Sequence, residues 1–259
     1  MRRFVVSERG LRAKVSALVA QGVQPIIDYA VEHNKKDVRD FEVRSVHTLH
    51  AYPNSVHALK LSGANFRVPT IERIVTQAKA TRNRIMVDAE DVSVQDAVND
   101  ITDDLIMAHG DVVFKTYQMY RKDSLERLGA DIQRFHRAGV FLNVKLVRGA
   151  YLHQDRSTGM LYDTKDQTDR AYDQAVRLLR KHDREVGEVV FATHNEASYH
   201  GFKDLCGPHY HHATLMGFNE PLRWEGTIRR MVHVPFGPLH RTYPYLLRRW
   251  YENPIATMR

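Results

Sequence analysis

The chain of 259 residues is 43% hydrophobic and 27% charged, with 38 Lys and Arg against 31 Asp and Glu and a formal charge of +7. That length and balance exclude a peptide hormone, a disordered tail and any collagen-like or low-complexity protein, and they suit a single α/β barrel of about 250 residues. The lone cysteine, Cys206, excludes an internal disulfide framework and a four-cysteine zinc site and fits a reducing compartment, and no run of about 18 apolar residues signals a transmembrane helix.

The first residues are basic, with Arg2, Arg3, Arg9, Arg12 and Lys14 against Glu8. Such a stretch matches a mitochondrial transit peptide weakly. Leu11, Val15, Leu18 and Val19 fall on one helical face, so a short N-terminal helix at about 8–21 is the better reading. Apolar, β-rich runs then alternate with helical patterns. Strands are expected over 25–29 and 57–61, followed by a helix whose stripe is Ile71, Ile74, Val75 and Ala78. A strand over 84–88 precedes the stripe Val94, Ala97, Ile101 and Leu105, stopped by Gly110. The strand over 112–117 is followed by Leu125, Leu128, Ile132 and Phe135, ended by Gly139. After the strand over 141–147 come Ala171, Ala175, Leu178 and Leu179, ended by Gly187. The last strands are expected over 189–193, 213–216 and 231–234.

Eight strands alternating with helices read as a (β/α)8 TIM-type barrel, with a doubly wound sheet as the alternative. Nothing in the composition divides the chain, so 1–259 is expected to be one domain. A barrel carries its chemistry at the C-terminal ends of the strands. Asp88, Glu90, Gln118, Arg148, Tyr151, His194 and Asn195 collect at those ends.

Several familiar signatures are missing. No two glycines are spaced G-x-G, so no Rossmann fingerprint is present, and there is no P-loop, nucleophile elbow or H-E-x-x-H helix. The expected last helix, 242–253, can be capped by Thr242, with Pro244 in its first turn. Tyr245, Arg248, Arg249 and Glu252 share one face of it, where a packed helix would be apolar. Two adjacent guanidiniums suit a carboxylate, and Glu252 could orient one of them. A solvated face is the plain alternative. Neither an aromatic platform nor a long basic stripe accompanies the pair, so nucleic acid is not assigned.

The 15 histidines include His209, His211 and His212 in one stretch, and Asp88, His194 and His233 are candidates for a zinc set. In an extended segment, however, His209 and His211 share a face while His212 points away. No metal is assigned.

Six motifs occur in a telling order: Leu59-Lys60-Leu61-Ser62; Val87-Asp88-Ala89-Glu90; Thr116-Tyr117-Gln118-Met119-Tyr120; Lys145-Leu146-Val147-Arg148-Gly149-Ala150-Tyr151; Ala192-Thr193-His194-Asn195; and Val234-Pro235 with Gly237, followed by Tyr245-Leu246-Leu247-Arg248-Arg249 and Glu252-Asn253. From about Gly22 to Asn253 the chain resembles the proline dehydrogenases, of the monofunctional type.

The resemblance implies a (β/α)8 barrel with the last helix lying over the barrel mouth. It implies FAD held without a Rossmann fold, and oxidation of L-proline to 1-pyrroline-5-carboxylate by hydride transfer from C5 to flavin N5. Electrons then pass to a quinone, with peripheral membrane contact. Carried over by position, Lys60, Arg248 and Arg249 would hold the substrate carboxylate, and Tyr151, Leu215 and Tyr245 would wall the ring. Glu252 would orient an arginine, and Asp88 would position Lys60 or neighbouring groups. Gln118, Lys145, Arg148, Gly149, Ala150, Thr193, His194 and Asn195 would contact FAD, with Thr164, Lys165, Thr168 and Asp169 as further contacts. Lys145 would stabilise the anionic reduced flavin.

One departure stands out. The family usually has tyrosine where this chain has His233, so the preference between proline and hydroxyproline stays open. No aldehyde dehydrogenase domain like that of bifunctional relatives is expected, so the product would be released or handed on. Hydroxyproline dehydrogenase, or a flavin-free basic barrel binding nucleic acid or metal, are the alternatives. The expected location is the cytoplasm or the membrane periphery, with the mitochondrial matrix side as the alternative. The quinone and the oligomeric state stay unassigned.

Overall fold

A computed structural model describes residues 4–30, 37–205, 207–217, 226–238 and 242. Its eight strands are β1 (Gln24–Tyr29), β2 (Val56–Leu59), β3 (Arg84–Val87), β4 (Val113–Gln118), β5 (Leu142–Val147), β6 (Val186–Ala192), β7 (Tyr210–Leu215) and β8 (Arg229–Phe236). They close in chain order into a barrel, and β1 pairs in parallel with both β2 and β8. The helices are α1 (Glu8–Ala20), α2 (Val38–Ala51), α3 (Val68–Ala80), α4 (Val92–His109), α5 (Ser124–Arg137), the short α6 (Leu152–Asp155), α7 (Lys165–Lys181) and α8 (Glu196–Phe202). Among the described residues no helix is long and apolar enough to cross a membrane. The α/β barrel expected from the alternating pattern is therefore the observed fold. The helix expected over its mouth lies outside the described residues, apart from Thr242. There the Thr242 N–H donates to the Pro238 carbonyl at 3.1 Å, so Thr242 lies inside a helical turn rather than capping one.

The described residues form two compact units. The first comprises the described parts of Met1–Ile85, Ala213–Trp224 and Arg230–Arg259. Here α1 starts at Ser7, whose hydroxyl accepts from the Gly10 N–H, and it buries Leu11, Val15 and Leu18. Val19, expected on the same face, is 60% exposed, because the buried stripe ends at Leu18. Asn83 ties the end of α2 to the loop before β2: its Oδ1 accepts from the Ser55 N–H at 2.7 Å and its Nδ2 donates to the Leu49 carbonyl at 2.8 Å. The strand expected over 57–61 stops at Leu59, and Lys60 opens a 3-10 turn.

The second unit comprises the described parts of Met86–His212 and Glu225–Arg229. In α4 the buried face is Gln95, Val98, Asn99, Thr102, Leu105 and Ile106. The expected stripe of Val94, Ala97, Ile101 and Leu105 is thus corrected, with Ala97 exposed and only Leu105 buried. The cause is a polar ladder that needs burial: the Glu90 N–H donates to Gln95 Oε1 at 2.7 Å, and Gln95 Nε2 donates to Asn99 Oδ1 at 3.0 Å. Gly187, expected to end a helix, lies in β6 instead, and α7 ends at Lys181. A Cβ at Gly187 would stand 2.2 Å from Asn143 Oδ1. Only glycine admits that approach, through which Asn143 accepts the Glu188 N–H at 2.7 Å. The β5–β6 register shifts between Leu142 and Val144, beside this contact.

β7 begins three residues earlier than expected and takes in His211 and His212, both buried. His211 pairs with Glu188 at 2.9 Å, and His212 Nε2 meets the Thr193 carbonyl at 2.9 Å. His209 lies before the strand against Asp183 at 2.8 Å.

Burial pushes the His212 imidazole down to about 4, despite its bond to Thr193, and does the same to His57, down to about 4. The unfolded chain therefore takes up a proton at each ring between pH 6.5 and about 4, while the folded chain does not. Stability rises with pH across this window and is lost as pH falls through it, by about 3 kcal/mol per histidine. Urea titrations at pH 7 and pH 4.5 read this loss, and a His212→Gln variant flattens the profile. An equal slope in that variant removes His212 from the account.

Candidate active site

The C-terminal ends of β3 to β6 in the second unit bring polar side chains together. Lys145 on β5 is opposite Thr116 of β4 in the parallel register, so the two face one side of the sheet. Lys145 is buried, and its Nζ lies 2.6 Å from Asp88 Oδ1. A buried ammonium is tolerated where a carboxylate is this close.

Gln118, at the end of β4, links two loops. Its Nε2 donates to the Glu90 carbonyl at 2.8 Å and its Oε1 accepts from the Ala150 N–H at 3.3 Å. Arg148, just past β5, is spread over three partners. Nε donates to Asp169 Oδ1 at 2.6 Å, Nη1 to the Thr193 hydroxyl, and Nη2 to the Ser198 hydroxyl at 2.8 Å. Its guanidinium also lies over the Tyr172 ring, 4.3 Å from the centroid. Burial alone would lift the Asp169 carboxyl, yet hydrogen bonds from Lys165 and Arg148 hold it below its ordinary value.

Asn195 caps α8, its Oδ1 accepting the Ser198 N–H at 3.0 Å, while its own N–H donates to the Thr193 hydroxyl at 3.0 Å. Thr164 caps α7 in a capping box with Gln167, and Lys165 follows in the first turn, largely exposed and paired with Asp169. His194, half-buried, stands between Thr193 and Asn195. The sequence-expected residues Asp88, Gln118, Lys145, Arg148, Gly149, Ala150, Thr193, His194 and Asn195 thus lie on the strands and loops of this unit, as does Tyr151, while Thr164 caps α7 and Lys165, Thr168 and Asp169 lie in its first turns.

The first unit holds a smaller cluster. His233 of β8 meets Asp28 of β1 at 2.9 Å, and Lys60 lies 3.8 Å from the same oxygen of Asp28. All three are buried. Leu215 ends β7. Tyr245, Arg248, Arg249 and Glu252 lie outside the described residues. Among the described residues no group of three His, Cys, Asp or Glu side chains is placed to hold a metal.

Sequence reasoning gave no role to Asp28 or Ser198. Asp28 did leave a signal, an acid inside the buried run Ile26-Ile27-Asp28-Tyr29. Ser198 left none, because its partners Arg148 and Asp173 are distant in sequence.

A flavin dinucleotide presents an anionic pyrophosphate and, once reduced, an anionic ring, so it calls for cations and hydrogen-bond donors. The second unit supplies Lys145, Arg148 and Lys165 with the amide of Gln118 and the hydroxyl of Thr193. These residues fit the FAD that the resemblance implies.

A family model described as proline dehydrogenase matches residues 11–258. Hydroxyproline dehydrogenase of Homo sapiens is 30% identical over 216 residues, covering 71% of this chain and 45% of that protein. The carbapenem antibiotics biosynthesis protein CarD of Pectobacterium carotovorum is 31% identical over 202 residues, covering 73% of this chain and 54% of that protein. Proline dehydrogenase 1, mitochondrial, of Arabidopsis thaliana is 30% identical over 209 residues, covering 71% and 42%. The chain spans about half the length of the curated relatives it matches. A crystal structure of proline utilization A from Bdellovibrio bacteriovorus superposes with a TM-score of 0.86 at 16% identity, covering 97% of this chain and 32% of that one, a likeness of fold.

Proposed function

The chain belongs to the proline dehydrogenase family, and on that premise we propose that it is an FAD-dependent dehydrogenase that oxidises L-proline to 1-pyrroline-5-carboxylate and passes the electrons to a quinone. The observation that carries this reading is the buried Lys145–Asp88 pair, in the same unit as the polar strand-end residues Gln118, Arg148 and Thr193. FAD, when bound, supplies the acceptor for the hydride from proline C5.

The chain's own residues do the rest. Gln118, Lys145, Arg148, Gly149, Ala150, Thr164, Lys165, Thr193, His194 and Asn195 hold the cofactor. Asp88 fixes the Lys145 ammonium, and that fixed charge favours the reduced, anionic cofactor without any reorganisation. Lys60, Arg248 and Arg249 grip the substrate carboxylate, and orientation of a small ring by such a clamp removes much of the entropic barrier. Tyr151, Leu215 and Tyr245 wall the ring, and Glu252 orients an arginine of the pair. The quinone takes electrons at the membrane periphery.

A second reading, oxidation of hydroxyproline, is favoured by one specific observation. His233 stands as a polar, Asp28-bound ring where the family usually has tyrosine, and hydroxyproline dehydrogenases of several mammals are among the similar proteins. The visible spectrum of the purified protein tests both readings. A yellow protein bleached by L-proline under anaerobic conditions supports the first. Bleaching by 4-hydroxyproline alone supports the second, and a protein that stays colourless after refolding with FAD defeats the two together.

A further inference from the structure

Tyr120, two residues past β4, grips the loop after β5 at four points. Its N–H donates to the Arg148 carbonyl at 2.7 Å, and its carbonyl accepts from the Tyr162 N–H at 2.9 Å. Its hydroxyl donates to Asp155 Oδ2 at 2.5 Å. Its ring fills the space in which a side chain at Gly149 would stand, since a Cβ there would be 2.3 Å from the ring's Cδ1. Gly149 has φ +143°, a conformation closed to other residues, so the loop conformation and the ring position define each other.

Asp155 carries the clamp further. It is 2% exposed, and its second oxygen accepts the Val92 N–H at 2.9 Å, at the start of α4. Its own N–H donates to the Tyr151 carbonyl at 2.9 Å. Burial, and then the bond to Asp155, push the Tyr120 hydroxyl well above its ordinary value, so it remains a proton donor at any working pH. The loops after β3, β4 and β5 are thereby joined through one phenol and one carboxylate.

We propose that Tyr120 and Asp155 are positioning residues for the cofactor: they hold the backbone of residues 148–150 in a single preset conformation, so that FAD meets a loop already ordered. This rests on the flavin reading above. The hydroxyl and the carboxylate touch no reacting atom. Their effect is on affinity, because a loop that must be ordered on binding costs affinity that a preset one does not.

The test uses Tyr120→Phe, Asp155→Asn and the double variant, with FAD release from diluted holoenzyme followed by flavin fluorescence. Each single variant is expected to raise the Kd for FAD about tenfold, and the double variant no further than Asp155→Asn, because that variant already disrupts the carboxylate that receives both Tyr120 and Val92. At saturating FAD the KM for proline is expected to stay at the wild-type value, whereas general damage to the fold would move it. A Kd within twofold of wild type in both single variants overturns the inference, even if thermal stability falls, and so do effects that add in the double variant or a shifted KM at saturating FAD. A wild-type chain that binds no flavin overturns this inference and the proposed function together, whereas unchanged variants of a flavin-binding chain overturn this inference alone.

Discussion

On the proposed function, replacing Lys145 by methionine is expected to lower proline turnover by roughly 10²–10³-fold, the range seen when one preorganised charge-stabilising donor is removed. Methionine keeps most of the volume of the lysine stem and removes only the charge. Lys145 sits on β5, buried, 2.6 Å from Asp88. The substitution therefore acts twice: it deletes a cation from the proposed flavin site, and it takes from a buried carboxylate the ammonium that balances it. The second effect alone costs about 3–5 kcal/mol of stability. Steady-state rates with a dye acceptor, corrected for flavin content, separate the two. Lys145→Arg retains a charge at the same place and is expected to recover part of the rate. Turnover within threefold of wild type in the methionine variant would remove Lys145 from the mechanism.

The second large effect lies on the other side of the same strand pair. Lys115 of β4 is opposite Val144, one residue out of phase with the Thr116–Lys145 pair, so it faces away from Lys145. It is 1% exposed and bridges Asp131 of α5 at 2.8 Å and Asp103 of α4 at 2.5 Å. The Tyr117 hydroxyl donates to the same Asp131 oxygen at 2.7 Å. Burial, and then the Asp131 charge, push the Tyr117 phenol well above its ordinary value, so it stays a donor.

Lys115→Met leaves Arg134, half-exposed, as the remaining cation beside two carboxylates. The expected loss is about 3–5 kcal/mol, read as a lower urea midpoint with an unchanged slope. Turnover per flavin-loaded molecule is expected to hold, because none of these groups belongs to the proposed site. A variant as stable as wild type would mean that desolvation had already cancelled the attraction within the cluster.

These two lysines show how much of the site was legible in the residues. Both sit in apolar strand runs, over 112–117 and 141–147. The motif around Lys145 marked it as functional, whereas nothing local distinguished Lys115. Its partners on α4 and α5 come together only when both helices pack on β4. The same limit explains α4 itself. Periodicity located the helix and its stop at Gly110, but it chose Val94, Ala97 and Ile101 as the buried face because they are apolar. Gln95 and Asn99 are buried instead, satisfied by a ladder that begins at the Glu90 backbone. Gly187 read as a helix stop by residue type, and it proved to be a strand glycine making room for Asn143.

By itself the sequence determined the alternation of strands and helices, the parallel barrel that this alternation builds, and the set of polar residues at the strand ends, because periodicity and strand-end position are local properties of a chain. Only the tertiary structure decided which charges meet. Lys145 and Asp88 are 57 residues apart, and His233 and Asp28 are 205 apart. The stabilisation of a buried charge depends on the distance to its counter-charge in space, a quantity that sequence separation does not encode.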